Sequence, residues 1–220
     1  AQVSRAALPN LSPEIAELFP DSFEDSELGK IPKGWKSVVF EEIVTAKQGK
    51  YLPNEEMSEF PTDEYVFPVW GGNGTRGYAK QKMYDDPIVI LTCRGSNCGL
   101  INLTESNVWT SNIVFACEPK LGSTNYIYVY FNLCSFVDCI SGSAQPQITY
   151  TALKNKRMPF PISSHICNAF SNVIEPLFKK IFLNDGESNI FVSIRDKLLP
   201  KLISGELRIP DAEKIVKRYI

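Results

Sequence analysis

Histidine is nearly missing from this sequence: His165 is the only one, at a loop-to-helix junction with no cysteine or carboxylate cluster at ligand spacing beside it. A zinc site or a His-based triad would hang on that single side chain, so neither is expected. The six cysteines, Cys93, Cys98, Cys117, Cys134, Cys139 and Cys167, include no C-x-x-C pair. Most lie among apolar, strand-like residues and read as buried free thiols. Also missing are a P-loop lysine motif, a G-x-S-x-G elbow and the Asn/Asp-Pro-Pro-aromatic motif of amino-methyltransferases. The Pro-Asp pairs at 20–21 and 210–211 are not followed at useful distance by the Glu-x-Lys of many nucleases, and no catalytic residue is expected. No run approaches the roughly 18 apolar residues of a membrane helix. The opening lacks the apolar core of a signal peptide, which points to a cytoplasmic protein with no membrane partner. Basic excess is absent too. A net charge of −2 and a pI near 5.6 argue mildly against nucleic acid as a partner, because phosphate neutralisation dominates such affinities.

What is present fits one ordinary domain with a helical appendage, or two small domains. The chain's 220 residues, 44% hydrophobic and 22% charged, suffice for a real core. Charge is uneven: acids crowd 14–27 and 55–64, whereas 71–97 sets Arg76, Lys80, Lys82 and Arg94 against Asp85 and Asp86. Residues 1–35 read as a linker, with a short helix from Ser12-Pro13 to about Leu18, then an acidic stretch that needs no core of its own. Over 36–162, short runs rich in Val, Ile, Tyr and Phe at 65–70, 88–93 and 111–117, separated by Gly, Asn, Asp and Pro, predict a β-rich domain. Within it, Tyr126, Tyr130, Leu133, Phe136 and Val137 recur at three- and four-residue spacing and favour a helix over about 125–140. From 163 to 220 the grammar is helical: Ile166, Phe170, Val173, Leu177, Ile181, Phe191, Ile194, Leu198 and Leu202 recur at near-heptad spacing. Gly186 and Pro176 weaken this helix, a central proline by about 3 kcal/mol, so a kink near 172–176 or two consecutive segments stays open. An apolar seam this long calls for a partner. The expected fold class is α+β, a β-rich globular domain followed by a long amphipathic helix.

Three polar loops invite a binding role. Gly72 to Gly77 formally matches G-x-G-x-x-G, but the Asp85-Asp86-Pro87 turn leaves no room for a crossover helix, and no acid stands about 20 residues on. The alternative is a mobile glycine-rich loop that carries Asn73, Thr75 and Arg76 out of a β scaffold, with Lys80 and Lys82 close behind. Arg94, Ser96 and Asn97 end the most hydrophobic strand, a rigid base for recognition. Arginine suits guanine or phosphate, and the amides of Asn97 and Asn112 suit adenine. Ser143, Gln145 and Gln147 occupy a third loop as readers or simple turn formers. An unremarkable turn is the bland reading of each.

Four stretches together resemble the DNA-specificity subunits of Type I restriction-modification systems, over nearly the whole chain. Leu18 to Phe23 with Ser26 to Trp35 is similar to the lead-in to a target-recognition domain. Gly71 to Gly74 and Gly77-Tyr78, with Arg94 to Ser96 and Trp109 to Asn112, are similar to its glycine-rich interior. Gly142 to Ile148, running to Met158 and Pro161, is similar to its far end. Ile194 to Leu207 is similar to the spacer helix. The resemblance implies a target-recognition domain at 36–162 and a helical spacer and dimerisation region at 163–220. It implies that two recognition domains each read half of a split site in double-stranded DNA. Antiparallel spacer helices would hold them apart and dock methyltransferase subunits, with restriction subunits completing the assembly. S-adenosylmethionine is expected on the methyltransferase, and no cofactor or metal on this chain. DNA contacts are expected from Asn73, Thr75, Arg76, Lys80, Lys82, Arg94, Ser96, Asn97, Trp109, Ser111, Asn112, Ser143, Gln145 and Gln147. Full chains of the family carry two such units. This one has a single unit, opens like the middle linker and starts with Ala1, which fits a C-terminal half or an excised piece. A natural half-subunit pairing with itself is the close rival. A self-associating interaction module without DNA specificity is the alternative from another class, kept open by the acidic pI.

Overall fold

The computed structural model describes residues 13–161 and 163–209, and the chain divides after Ile174 into two units. Along the first unit run α1 (Pro13–Ala16), β1 (Phe23–Ser26), β2 (Gly29–Pro32), β3 (Trp35–Val39), α2 (Phe40–Ile43), β4 (Val44–Gln48), β5 (Phe67–Gly71) and β6 (Gly74–Ala79). There follow β7 (Val89–Thr92), β8 (Ile101–Leu103), β9 (Trp109–Thr110), β10 (Val114–Pro119), α3 (Thr124–Asn132), β11 (Ile140–Ser141), β12 (Gln147–Ile148), α4 (Tyr150–Lys154) and β13 (Arg157–Pro161). The last helix, α5 (Ser164–Ile203), begins in the first unit and continues through the second. The fold class is α+β, as the sequence predicts.

The centre of the first unit is an antiparallel sheet in the order β4-β10-β7-β8. Its inner strands β7 and β10 carry apolar side chains on both faces because both faces are covered. Val89, Leu91, Phe115 and Cys117 point to one side, where α3 supplies Ile127 and Phe131 and α2 supplies Phe40. Ile90, Val114 and Ala116 point to the other and meet Val108, with Trp70 and Tyr84 at its margin. The Phe40 and Phe131 rings stack at 5.2 Å, and Phe136 meets Phe131 edge-on at 5.6 Å. A second sheet, β6-β5-β9, and a β3-β13 pair complete the scaffold.

Three expectations are corrected, and one falls outside the described residues. The stretch read as linker forms the β1-β2 hairpin, and β3 begins at Trp35; Ile31 is the buried residue of that hairpin. Its strands are mostly exposed, which is why the sequence FEDS lacks apolar alternation. The cap predicted at Ser12 lies outside the described residues, and α1 starts at Pro13. The helix expected over 125–140 stops at Asn132: Leu133 and Val137 are 81% and 73% exposed, and only Phe136 of that trio turns back into the core. Ile166 and Phe170, read as seam residues, belong to the first unit's own packing. Ile166 is buried, and the Phe170 ring stands edge-on to Tyr126 at 5.5 Å. Periodicity reveals a stripe but not the neighbour that covers it, and here the first turns of α5 are covered by α3.

Beyond Ile174 the helix continues through Pro176 and Pro200 as one element, so the two-segment alternative is not taken. Among the described residues, no helix is long and apolar enough to cross a membrane.

Cys93, Cys117, Cys139 and Cys167 are buried and Cys98 and Cys134 half-buried, all as free thiols. Burial pushes the Cys93 thiol up to about 11, against the opposing pull of the neighbouring Arg94 cation. A folded-state value raised above the unfolded one contributes stability that is lost as pH rises from about 8.5 towards 11. Alkylation by iodoacetamide at pH 8 is therefore expected to spare Cys93 in the native protein and to label it fully in denaturant. Equal labelling in both states, read by mass spectrometry of the peptide, would refute its protection.

Candidate nucleic-acid interface

Strand register gathers the polar loops at one end of the central sheet. Gln48 pairs with Phe115, Thr92 with Val114 and Leu91 with Ile101, so the end of β4, the start of β10, the end of β7 and the start of β8 lie side by side. Arg94 forms a bridge with Gln147, and the Gly95 amide donates to the Pro146 carbonyl at 3.1 Å, which brings the 141–147 loop to the same place. The Thr92 hydroxyl donates to the Gly72 carbonyl at 3.1 Å and fixes the β5-β6 turn there as well.

That turn corrects another expectation. Gly72 and Asn73 form a two-residue hairpin connection, and Thr75 and Arg76 lie on β6 rather than on a mobile loop. Gly74 takes φ 106°, a conformation open to glycine, which lets the hairpin close so tightly. The Arg76 guanidinium donates to the Asn54 side chain at 3.2 Å, a neutral partner.

Two ends of the sheet differ sharply in charge. Segments 46–50, 71–79, 92–101, 109–115 and 139–149, which build the loop end, contain no aspartate or glutamate in an otherwise acidic chain. They hold Lys47, Lys50, Arg76 and Arg94. At the opposite end, beside Val44, Pro119, Val89 and Leu103, stand Glu41, Glu42, Glu118, Asp85, Asp86 and Glu105. Among the described residues Lys50, Arg76 and Arg94 have no carboxylate partner, while Lys47, Lys80, Lys82, Lys156 and Arg157 each have one. Cations without a carboxylate partner, on strand ends and turns that themselves contain no carboxylate, are suited to phosphate, with Glu55 and Glu56 next to Asn54, the partner of Arg76, at the margin.

The predicted residues therefore fall into two groups. Asn73, Arg94 and Ser96 are exposed and Asn97 and Asn112 half-buried at the loop end, with Ser143, Gln145 and Gln147 exposed on the adjoining hairpin. Lys80 and Lys82 do not join them. Lys80 is paired with Glu64, which raises the lysine and lowers the carboxyl, and sits 4.8 Å from the Tyr65 ring. Lys82 is held by Asp85 at 2.7 Å and by Asn107 at 2.6 Å. Trp109 donates its indole N–H to the Lys50 carbonyl at 3.1 Å and lines a cleft of about 370 Å³ with Glu55, Glu56 and Lys80. Ser111 is buried with an unpartnered hydroxyl, so it cannot reach a ligand without rearrangement. Sequence reasoning missed Gln48 and Lys50. The available signal was Lys47-Gln48-Gly49-Lys50-Tyr51, a polar, carboxylate-free strand end closed by an exposed aromatic.

The second unit presents a different surface. Leu177, Ile181 and Phe191 are exposed, and Ile194, Leu198 and Leu202 are half-buried, on a helix that extends to Ile203. Val173, just before the division, is exposed as well.

Residues 32–189 match the family model for the Type I restriction modification DNA specificity domain. The chain is 25% identical over 208 residues to the Type I restriction enzyme MjaIX specificity subunit of Methanocaldococcus jannaschii, across 85% of this chain and 48% of that protein. It is 23% identical over 122 residues to the EcoprrI specificity subunit of Escherichia coli, across 54% of this chain and 30% of that one. The fold is similar to the crystal structure of the Type-I restriction-modification S subunit from M. genitalium, with a TM-score of 0.63, 17% identity, and coverage of 77% of this chain and 46% of that chain. The chain thus spans about half the length, or less, of the relatives it matches.

Proposed function

Given that the chain belongs to the Type I restriction-modification DNA specificity family, we propose that its first unit reads one half of a bipartite site in double-stranded DNA while its long helix docks partner subunits. The observation that carries this reading is the end of the central sheet whose strand ends and loops contain no carboxylate and where unpaired cations and amides converge. Lys50, Arg76 and Arg94 position on phosphate or grip guanine, and Asn73, Asn97, Asn112, Gln145 and Gln147 meet base edges. The chain carries no reaction itself. The methyltransferase subunits that the helix docks supply the chemistry and bind S-adenosylmethionine, restriction subunits join them, and the complex works in the cytoplasm. The exposed stripe of α5 pairs antiparallel, as a coiled coil, with the helix of a second recognition half or a second copy. A rigid helix rises about 1.5 Å per residue, so its length sets the gap between the half-sites.

An electrophoretic shift of the assembled methyltransferase complex, with a salt titration, tests this reading. A sequence preference with a steep loss of affinity in salt is expected, and neither would appear for a mere self-association module. Arg94→Ala and Arg76→Ala are expected to weaken specific binding by roughly 1–3 kcal/mol each. Unchanged site-specific methylation by both variants in the reconstituted complex would remove them from the contact surface.

A further inference from the structure

The end of β4 holds two side chains whose arrangement fits nucleic acid. Gln48 is exposed, yet its amide is oriented: Nε2 donates to the Asn112 carbonyl at 2.7 Å and points towards the Cys93 sulfur at 4.0 Å. With the nitrogen turned inward, Oε1 is left as an outward acceptor with no donor among the described residues. Two residues on, Lys50 is exposed and lacks a carboxylate partner among the described residues. Its backbone is anchored on both sides, the amide donating to the Thr110 carbonyl at 2.9 Å and the carbonyl accepting from the Trp109 indole at 3.1 Å. Gly49 between them lies against the 110–111 backbone so closely that the segment has no freedom to swing. A fixed acceptor beside an unpaired cation, both mounted on a rigid strand end, meets the requirements of a base contact flanked by a phosphate contact.

We propose that the end of β4 is a DNA-contact element in which Gln48 accepts from an exocyclic base amino group in the major groove and Lys50 grips a backbone phosphate. This rests on the specificity reading above. An outward acceptor selects the amino groups of adenine (N6) and cytosine (N4) and rejects the carbonyl edges of thymine and guanine. Lysine contributes affinity without sequence.

The test uses the assembled complex with its methyltransferase subunits and a library of randomised duplexes, from which the wild type selects its half-site. Gln48→Met is expected to lose roughly 10- to 100-fold of discrimination at one base pair and to leave the other positions intact. Duplexes carrying a purine without the N6 amino group, or a pyrimidine without the N4 amino group, then tell adenine from cytosine. The wild type rejects one of them at that position and the variant is indifferent. Lys50→Ala is expected to weaken binding to all sequences alike and to reduce the salt slope by about 1. Uniform weakening in Gln48→Met would mean that Gln48 only props the Asn112 loop and would overturn the base-reading role. So would a wild type insensitive to amino-group removal at every position, an arm that needs no variant. An unchanged salt slope in Lys50→Ala would overturn the phosphate contact. A wild-type complex that selects no sequence would instead sink the specificity reading itself.

Discussion

Gly49→Ala is expected to destabilise the first unit by about 3 kcal/mol, the upper end of the range for overpacking. A Cβ at this position would stand 2.3 Å from the Ser111 carbonyl oxygen and 2.4 Å from that of Thr110. Both are backbone atoms, which cannot rotate aside as a side chain would. The Gly49 amide also donates to the Val114 carbonyl at 3.0 Å, so relief of the clash means loss of a ladder connection at the sheet's end. For a chain of this size, about 2–4 °C of thermal midpoint accompanies each kcal/mol, so a drop of roughly 6–12 °C is expected by circular dichroism. A midpoint within about 2 °C of wild type would show that β4 and the 110–111 segment do not approach so closely. The proposed DNA surface would then lose the support that orients Gln48 and Lys50.

A second large effect concerns assembly. Ile181→Glu combined with Phe191→Glu is expected to abolish helix pairing while leaving the first unit folded. Burial of each such side chain contributes about 1.5–3 kcal/mol, and in a twofold pair every substitution counts twice, so about 6–12 kcal/mol of association is removed before any carboxylate is desolvated. Micromolar affinity corresponds to only about 8 kcal/mol. Sedimentation of the chain with its methyltransferase subunits is expected to show two recognition domains per particle for the wild type and one for the variant. Equal sedimentation would remove the stripe from the pairing surface.

How much of this was visible beforehand depended on whether a property is local. The apolar run at 88–93 announced a central strand, and the near-heptad stripe announced α5. The polar loops at 94–97 and 141–147 were legible as loops, but their meeting through Arg94 and Gln147 depends on pairing between distant segments. The absence of carboxylates is present in the sequence as five scattered intervals and becomes a surface only when strand register brings them together. Ser111 and Lys82 looked equivalent to Asn112 and Arg94 by residue type. Burial removed the first, and Asp85 neutralises the second. Ile166 and Phe170 continue the stripe without interruption, and only the position of Tyr126 shows that they are inward.

On the proposed reading, the uneven charge along the central sheet has a consequence for how the molecule arrives at DNA. On that reading a duplex is repelled by the end that carries Glu41, Glu42, Asp86 and Glu105 and attracted by the other, which exerts a torque before any atoms touch. Approach is thereby sorted at a distance of about a Debye length, and collisions that begin back to front are turned or rejected. A protein with almost no net charge can in this way search DNA right side up, because what the field senses is the gradient across it rather than the sum.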